Sequence, residues 1–247
     1  MKSESKLNRL AQVFDYISVL HQNGMILFSY QELLRVLANG PCLIFYLNPH
    51  TIYCETVLNM KCGIDIYFVY EGNSAVFFAK KFHKTDSITS LNIDDSGIVF
   101  DLLSDLLVRR KRILFIGGSE CDAPKFSLKM KDLGFEIACI DGYRSESYER
   151  EIIGYDYVFL SMGSPLQEKT ALSLSGKHNA TSFLTCGGFV SQFATAKSNV
   201  YPKWIVKLRL RFLFRMVTSL VVAKRVIFEY SVVYLVWWQR LKRRGSS

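Results

Sequence analysis

YVFLSMGSPLQEK, Tyr157–Lys169, followed after a helix-like segment by FLTCGGF, Phe183–Phe189, is the stretch that decides the fold. Tyr157 to Ser161 are apolar or small throughout, which predicts a strand buried on both faces, as in a parallel sheet. The run stops at Met162-Gly163. Ser164, with Gln167 three residues on and Pro165 at the first helical position, predicts a helix opened by a capping box. A strand that enters a glycine turn and then a capped helix leaves backbone N–H groups at the strand's carboxyl end. An open α/β sheet binds ligands there, and the N–H groups suit an anion such as a diphosphate. The same spacing also fits a βα turn that binds nothing.

Working outward, the pattern repeats. Residues 6–39 read as two helices broken at Asn23-Gly24, the second with Leu33, Leu34 and Leu37 on one face. A strand over 42–47 ends at Asn48-Pro49-His50, a helix over 51–60 follows, and a strand over 64–69 ends at Tyr70-Glu71-Gly72-Asn73. Helices over 74–82 and 98–107 flank an acidic turn with Asp94 and Asp95. A strand over 112–116 runs into Gly117-Gly118, a helix over 122–132 stops near Gly134, and a strand over 135–140 ends at Asp141-Gly142-Tyr143. The sixth strand, 182–186, closes at Gly187-Gly188. Strands alternating with helices predict an α/β, doubly wound, mostly parallel sheet whose polar strand ends gather along one rim. That rim is the predicted site.

Composition narrows the function. The 247 residues can bury one sizeable domain, and 49% of them are apolar, which excludes a disordered chain. Gly117-Gly118 is not a complete GxGxxG fingerprint and no P-loop occurs, which speaks against nicotinamide or ATP chemistry. The four histidines lack ligand spacing, so neither metal nor cofactor is expected; the six scattered cysteines form no CxxC pair and read as buried thiols. The charged N-terminus has no signal-peptide core, and a cytosolic body is expected.

The net charge of +9 is local. From Lys203 to Arg244 there are eleven Lys and Arg against one acid, Glu229. The composition changes at Tyr201, which divides the chain into a core over residues 1–200 and a basic appendage over 201–247. Lys207, Arg211 and Arg215, four apart, form one stripe on a helix; the alternation of Leu208, Leu210, Phe212 and Phe214 with Lys207, Arg209 and Arg211 would also fit a strand. Lys224, Arg225 and Glu229 interrupt what would otherwise be a membrane-spanning run. The preferred reading is an interfacial helix pair on an anionic membrane surface, with Trp237 and Trp238 at headgroup level.

Taken in order, these segments resemble the WecG/TagA/CpsF glycosyltransferases of bacterial surface-polysaccharide assembly. The resemblance is carried by Met162–Lys169, matching the family's G-x-P-x-Q-E segment, and by Thr185–Phe189. Tyr201-Pro202-Lys203-Trp204 comes next, and Leu210–Arg215 matches the family's L-x-W-L-x-R pattern with Phe at the aromatic place. Asn48-Pro49, Phe115–Gly118 and Asp141–Tyr143 fall at family-like spacing. The resemblance implies a Rossmann-like fold, a UDP-sugar donor, inversion at the anomeric carbon and a sugar acceptor on a polyprenyl diphosphate. It also implies peripheral attachment to the cytoplasmic face of the bacterial inner membrane; a homo-oligomer is compatible with it. On this basis Asn48, Gly117, Gly118, Gly142, Tyr143, Gly163, Pro165, Gln167, Glu168, Gly187 and Gly188 are expected to shape the nucleotide-sugar pocket. Arg209, Arg211 and Arg215 are expected to meet acceptor or leaving-group phosphates.

Inverting transfer needs a carboxylate to accept the acceptor hydroxyl's proton. The family's Asp before a Gly becomes Glu71-Gly72, so Glu71 is the expected base and Asp95 the reserve. The family's Thr two residues before Asn-Pro becomes Tyr46, its Arg near the second acidic motif is replaced around Thr89-Ser90, and its Glu after the appendage's first Leu becomes Arg211. These departures motivate a rival reading, a relative that has lost catalysis and acts as a nucleotide- and membrane-binding assembly partner. A second rival, nucleic-acid binding through the tail, has no support outside it.

Overall fold

The computed structural model of the chain describes residues 5–58, 60, 62–94, 97–144, 147–196, 202–208 and 210–245. The strands are β1 (Ile26–Leu27), β2 (Cys42–Leu47), β3 (Asp65–Tyr70), β4 (Ile113–Gly117), β5 (Ala138–Ile140), β6 (Tyr157–Ser161) and β7 (Ser182–Thr185). The helices of the body are α1 (Lys6–Gln22), α2 (Tyr30–Asn39), α3 (Pro49–Tyr53), α4 (Asn73–His83), α5 (Val99–Val108), α6 (Asp122–Asp132), α7 (Leu166–Ser175) and α8 (Phe189–Thr195). The basic end holds α9 (Lys203–Lys207), α10 (Arg211–Thr218), α11 (Leu220–Arg225), a π-helical turn Val226–Tyr230, and α12 (Ser231–Gly245).

The strands form one sheet in the order β1-β3-β2-β7-β6-β4-β5, and every pairing is parallel. The strands β2, β4, β6 and β7 are buried at every residue, as unbroken apolar runs between two helical layers should be. Phe14 of α1, Ile52 of α3, Ala79 of α4 and Ala171 of α7 pack on one face. Leu33 of α2, Leu103 of α5, Phe126 of α6 and Val190 of α8 pack on the other. The result is the doubly wound, Rossmann-like α/β fold, and a parallel sheet necessarily delivers all its carboxyl ends to one rim.

Local details differ from the sequence reading. A seventh strand, β1, extends the sheet beside β3; two residues are too few to show an alternation pattern. The helix expected over 51–60 is the short α3, with Asn48 as its cap and Pro49 in its first turn. At α7 the expected capping box does not form. Pro165 occupies the cap position, with its peptide bond to Ser164 cis, and the Ser164 hydroxyl donates to the Glu168 carboxylate at 2.7 Å. The short helix α8 was not anticipated. The basic end is helical rather than extended.

The largest correction concerns Trp237. It is not at a membrane interface but fully buried, against Phe14, Tyr70, Phe78 and Phe82. Val233 and Val236 join it, so α12 folds back onto α1, α3 and α4 and completes one core layer. Trp238, one residue on, is 49% exposed with the Lys242 ammonium 3.8 Å over its ring.

Gly117 ends β4 opposite Ser161 of β6. A Cβ there would lie 2.4 Å from the Ser161 carbonyl oxygen, and strand backbone cannot swing aside. Gly117→Ala is therefore expected to destabilise the fold by roughly 1–3 kcal/mol, read as a lower urea midpoint with unchanged m-value.

Candidate active site

At the carboxyl ends of β3, β2, β7 and β6 lies a cleft of about 230 Å³. Helices that follow neighbouring strands leave toward opposite faces here: α3 and α7 to one, α8 to the other. Such divergence opens a crevice above the sheet. The β2 end supplies Tyr46, Asn48 and His50; the β3 end supplies Glu71–Ser74; the following loop supplies Asn92–Asp94. From β6 and β7 come Gly163, Ser164, Gln167, Gly187 and Gly188, and from the C-terminal arm Arg225 and Tyr230.

Glu71 sits at the centre of a hydrogen-bonded frame. Its Oε2 accepts from Asn48 Nδ2 at 2.6 Å. The next N–H, that of Gly72, donates to Ser90 Oγ at 2.9 Å and to Asn92 Oδ1 at 3.1 Å, and Ser90 Oγ donates to Asn92 Oδ1 at 2.8 Å. Tyr46 is buried beneath them, and its hydroxyl accepts the Ile93 N–H at 2.6 Å. Burial first, and then the Glu71 charge, push the Tyr46 phenol well above its usual range, so it stays neutral and anchors the 92–94 loop. Tyr46, Glu71 and Ser90, the three departures around the reaction centre, thus belong to one continuous bonded arrangement.

On the β6 and β7 side of the cleft Gln167 ties down the β7 turn. Its Oε1 accepts the Gly187 N–H at 3.0 Å, and its Nε2 donates to Glu168 Oε1 at 2.9 Å. The Gly163 N–H donates to the Gly187 carbonyl at 3.3 Å. Gly163 and Gly187 have φ of +76° and +62°, where a side chain would be strained, and no atom crowds the place of a Cβ at either. Two N–H groups expected to meet an anion are therefore already engaged in tying the β6 and β7 turns together.

The residues expected in the donor pocket divide accordingly. Asn48, Gly163, Gln167, Gly187 and Gly188 line the cleft; Pro165 and Glu168 do not. Glu168 is buried behind Ser164 and Gln167, its Oε2 without a hydrogen-bond partner among the described residues. Gly117, Gly118, Gly142 and Tyr143 occupy the β4 and β5 end of the same rim, outside the cleft wall. There the Gly142 N–H donates to the Gly118 carbonyl at 3.0 Å, a Cβ on Gly142 would lie 2.7 Å from Gly117 Cα, and the Tyr143 hydroxyl donates to the Met162 carbonyl at 3.1 Å. Asp95 and Arg209 lie outside the described residues; for Arg211 and Arg215 only the backbone, within α10, is described.

Among the described residues, the Lys or Arg that lines the cleft is Arg225, which in the sequence is only an interruption of an apolar run. That interruption was the available signal: a charged residue inside an apolar helix needs a polar neighbour. Arg225 immediately precedes the π-helical turn, a distortion frequent at functional sites. The turn is fastened to α3 by Glu229, whose Oε2 lies 2.7 Å from His50 Nδ1. Among the described residues no group of three or more His, Cys, Asp or Glu could hold a metal ion. Among them, too, no helix is long and apolar enough to cross a membrane.

The crevice on this doubly wound sheet is thus lined by a carboxylate from the β3 end and an arginine from the C-terminal arm. The family model for the glycosyl transferase WecG/TagA/CpsF family matches residues 25–246, and the chain belongs to that family. It is 25% identical over 210 residues to the UDP-Gal:alpha-D-GlcNAc-diphosphoundecaprenol beta-1,4-galactosyltransferase of Shigella boydii, covering 81% of this chain and 87% of the relative. It is 23% identical over 222 residues to the N-acetylglucosaminyldiphosphoundecaprenol N-acetyl-beta-D-mannosaminyltransferase of Staphylococcus aureus (strain NCTC 8325 / PS 47), covering 85% and 84%. Membership and these relatives favour the glycosyltransferase over a relative that has lost catalysis.

Proposed function

We propose that the chain transfers a hexose from a UDP-sugar to a hydroxyl of an N-acetylglucosamine-type sugar on a polyprenyl diphosphate, with inversion. The supporting observation is that Glu71 and Arg225, of opposite charge and far apart in the sequence, share one cleft. In the reaction the acceptor oxygen attacks the anomeric carbon while its proton passes to the Glu71 carboxylate. The bond from that carbon to the diphosphate oxygen breaks, and UDP departs with the electron pair. Arg225 stabilises the negative charge gathering on it. Charge stabilisation comes from the chain's own groups, so transfer proceeds without an added divalent ion.

The arm also suits a lipid-borne acceptor. Val217 is 89% and Leu220 83% exposed, and Ile227 and Phe228 are exposed beside Arg225. Together with the exposed Lys224 these side chains support peripheral docking on an anionic bilayer, where each Lys or Arg near the surface contributes about 1 kcal/mol. Docking there sets the cleft at the cytoplasmic membrane face.

The test is transfer from a panel of UDP-sugars to a polyprenyl-diphosphate-linked N-acetylglucosamine, with chelator present. One sugar is expected to be transferred, and Arg225→Ala to lower kcat/KM by roughly 10²-fold or more, the scale of losing a donor to developing charge. No transfer from any UDP-sugar, or full activity in Arg225→Ala, would overturn the reading.

A further inference from the structure

The two ends of the Asn48 side chain have different tasks. Its Oδ1 accepts the Thr51 N–H at 2.9 Å, and Thr51 Oγ1 accepts the Asn48 N–H at 3.0 Å, a reciprocal cap on α3. Because a backbone donor already claims the oxygen, the amide nitrogen must be the end that faces Glu71, where it lies 2.6 Å from Oε2. The cap is itself immobilised: Thr51 is buried, and its hydroxyl also contacts the Tyr46 carbonyl at 3.0 Å. The donor thus stands on the rigid end of β2, whereas a glutamate has three side-chain torsions to settle.

We propose that Asn48 is a positioning residue for transfer: through Oε2 it sets the direction in which the Glu71 carboxylate meets the acceptor hydroxyl, and it favours the ionised form. This rests on Glu71 being the base, and it moves Asn48 from contacting the donor nucleotide to acting through the carboxylate. Among the described residues, Tyr46 from β2 and Cys186 beyond β7 feel the Glu71 charge, and the titratable or charged groups that line the same cleft include His50 from α3, Asp94 from the loop before α5 and Arg225 from the arm. They are common to every variant compared below.

Two substitutions separate this role from simple capping. Serine and aspartate are both strong N-caps, so Asn48→Ser and Asn48→Asp are expected to keep α3 and the melting temperature near the parent. Asn48→Ser removes the donor to Glu71, and kcat is expected to fall about tenfold, with the KM for the UDP-sugar little changed. Asn48→Asp sets a second carboxylate beside the first. The acid limb of the kcat–pH profile should then move up by about one pH unit or more, because two adjacent carboxylates resist ionising together.

Parental kcat and pH profiles in both variants would overturn the proposal. So would a change confined to the UDP-sugar KM, which would make Asn48 a donor ligand. Glu71→Gln distinguishes the two levels. If it runs at the parental rate, the base assignment and this inference fall together. If it is inactive while both Asn48 variants behave as the parent, only the inference falls.

Discussion

Glu71→Gln should lower kcat by roughly 10²–10⁴-fold, the usual contribution of a positioned general base. The substitution is nearly isosteric, and a glutamine oxygen can still accept from Asn48 Nδ2, which now stands 2.6 Å from the carboxylate. The frame that holds the residue, from Ser90 and Asn92 to the Gly72 N–H, involves backbone and is untouched. Geometry is therefore kept while the capacity to take a proton is lost. The loss should fall on kcat, with KM for the UDP-sugar close to the parent, because a base engaged in the transition state contributes little to donor binding. A loss confined to KM would place Glu71 among the donor's ligands.

Replacing Trp237 should have the largest effect on stability. Its indole is fully buried among Phe14, Tyr70, Phe78 and Phe82, so Trp237→Ala is expected to cost about 3–5 kcal/mol by opening a cavity where aromatic rings meet. Trp237→Phe should cost much less. The indole Nε1 is buried without a hydrogen-bond partner among the described residues, so phenylalanine removes an unsatisfied donor together with part of the volume. Urea denaturation of both variants checks the ordering. Transfer activity should fall further in Trp237→Ala than stability alone accounts for at saturating substrate, because α12 continues from the π-helical turn that follows Arg225. An alanine variant as stable as the parent would mean that the arm is not held by this contact.

The two outcomes concern different ends of one construction. The proposed base is mounted on the sheet, and the proposed leaving-group cation on an arm that the core holds by Trp237 and by the His50–Glu229 pair. Neither end alone makes the cleft. This division also explains why departures at Tyr46, Glu71 and Ser90 are compatible with a working site: each side chain has a partner in the new arrangement.

Much of this was legible locally. Tyr157–Ser161 is a continuous apolar run, and its burial on both faces follows from that alone. The turns at Asn48, Glu71, Gly163 and Gly187 follow strands of one parallel sheet, so their convergence on a rim was implied by the alternation of strands and helices. The capping box at Ser164 misled because local chemistry offered two solutions. The hydroxyl could have met a backbone N–H, and a buried carboxylate one turn away claimed it instead.

What sequence by itself determined was the parallel α/β framework, the rim and the concentration of positive charge at the C-terminal end, all properties of neighbours along the chain. Tertiary structure decided which of two adjacent tryptophans faces inward. Successive helical residues point about 100° apart, so one of Trp237 and Trp238 had to turn away, and only the position of α1 and α4 makes it Trp238. It also decided that Arg225 enters the cleft and that Asn48 holds Glu71. Those contacts join residues distant in sequence, and their geometry exists only once the sheet has brought its strand ends together and α12 has closed over them.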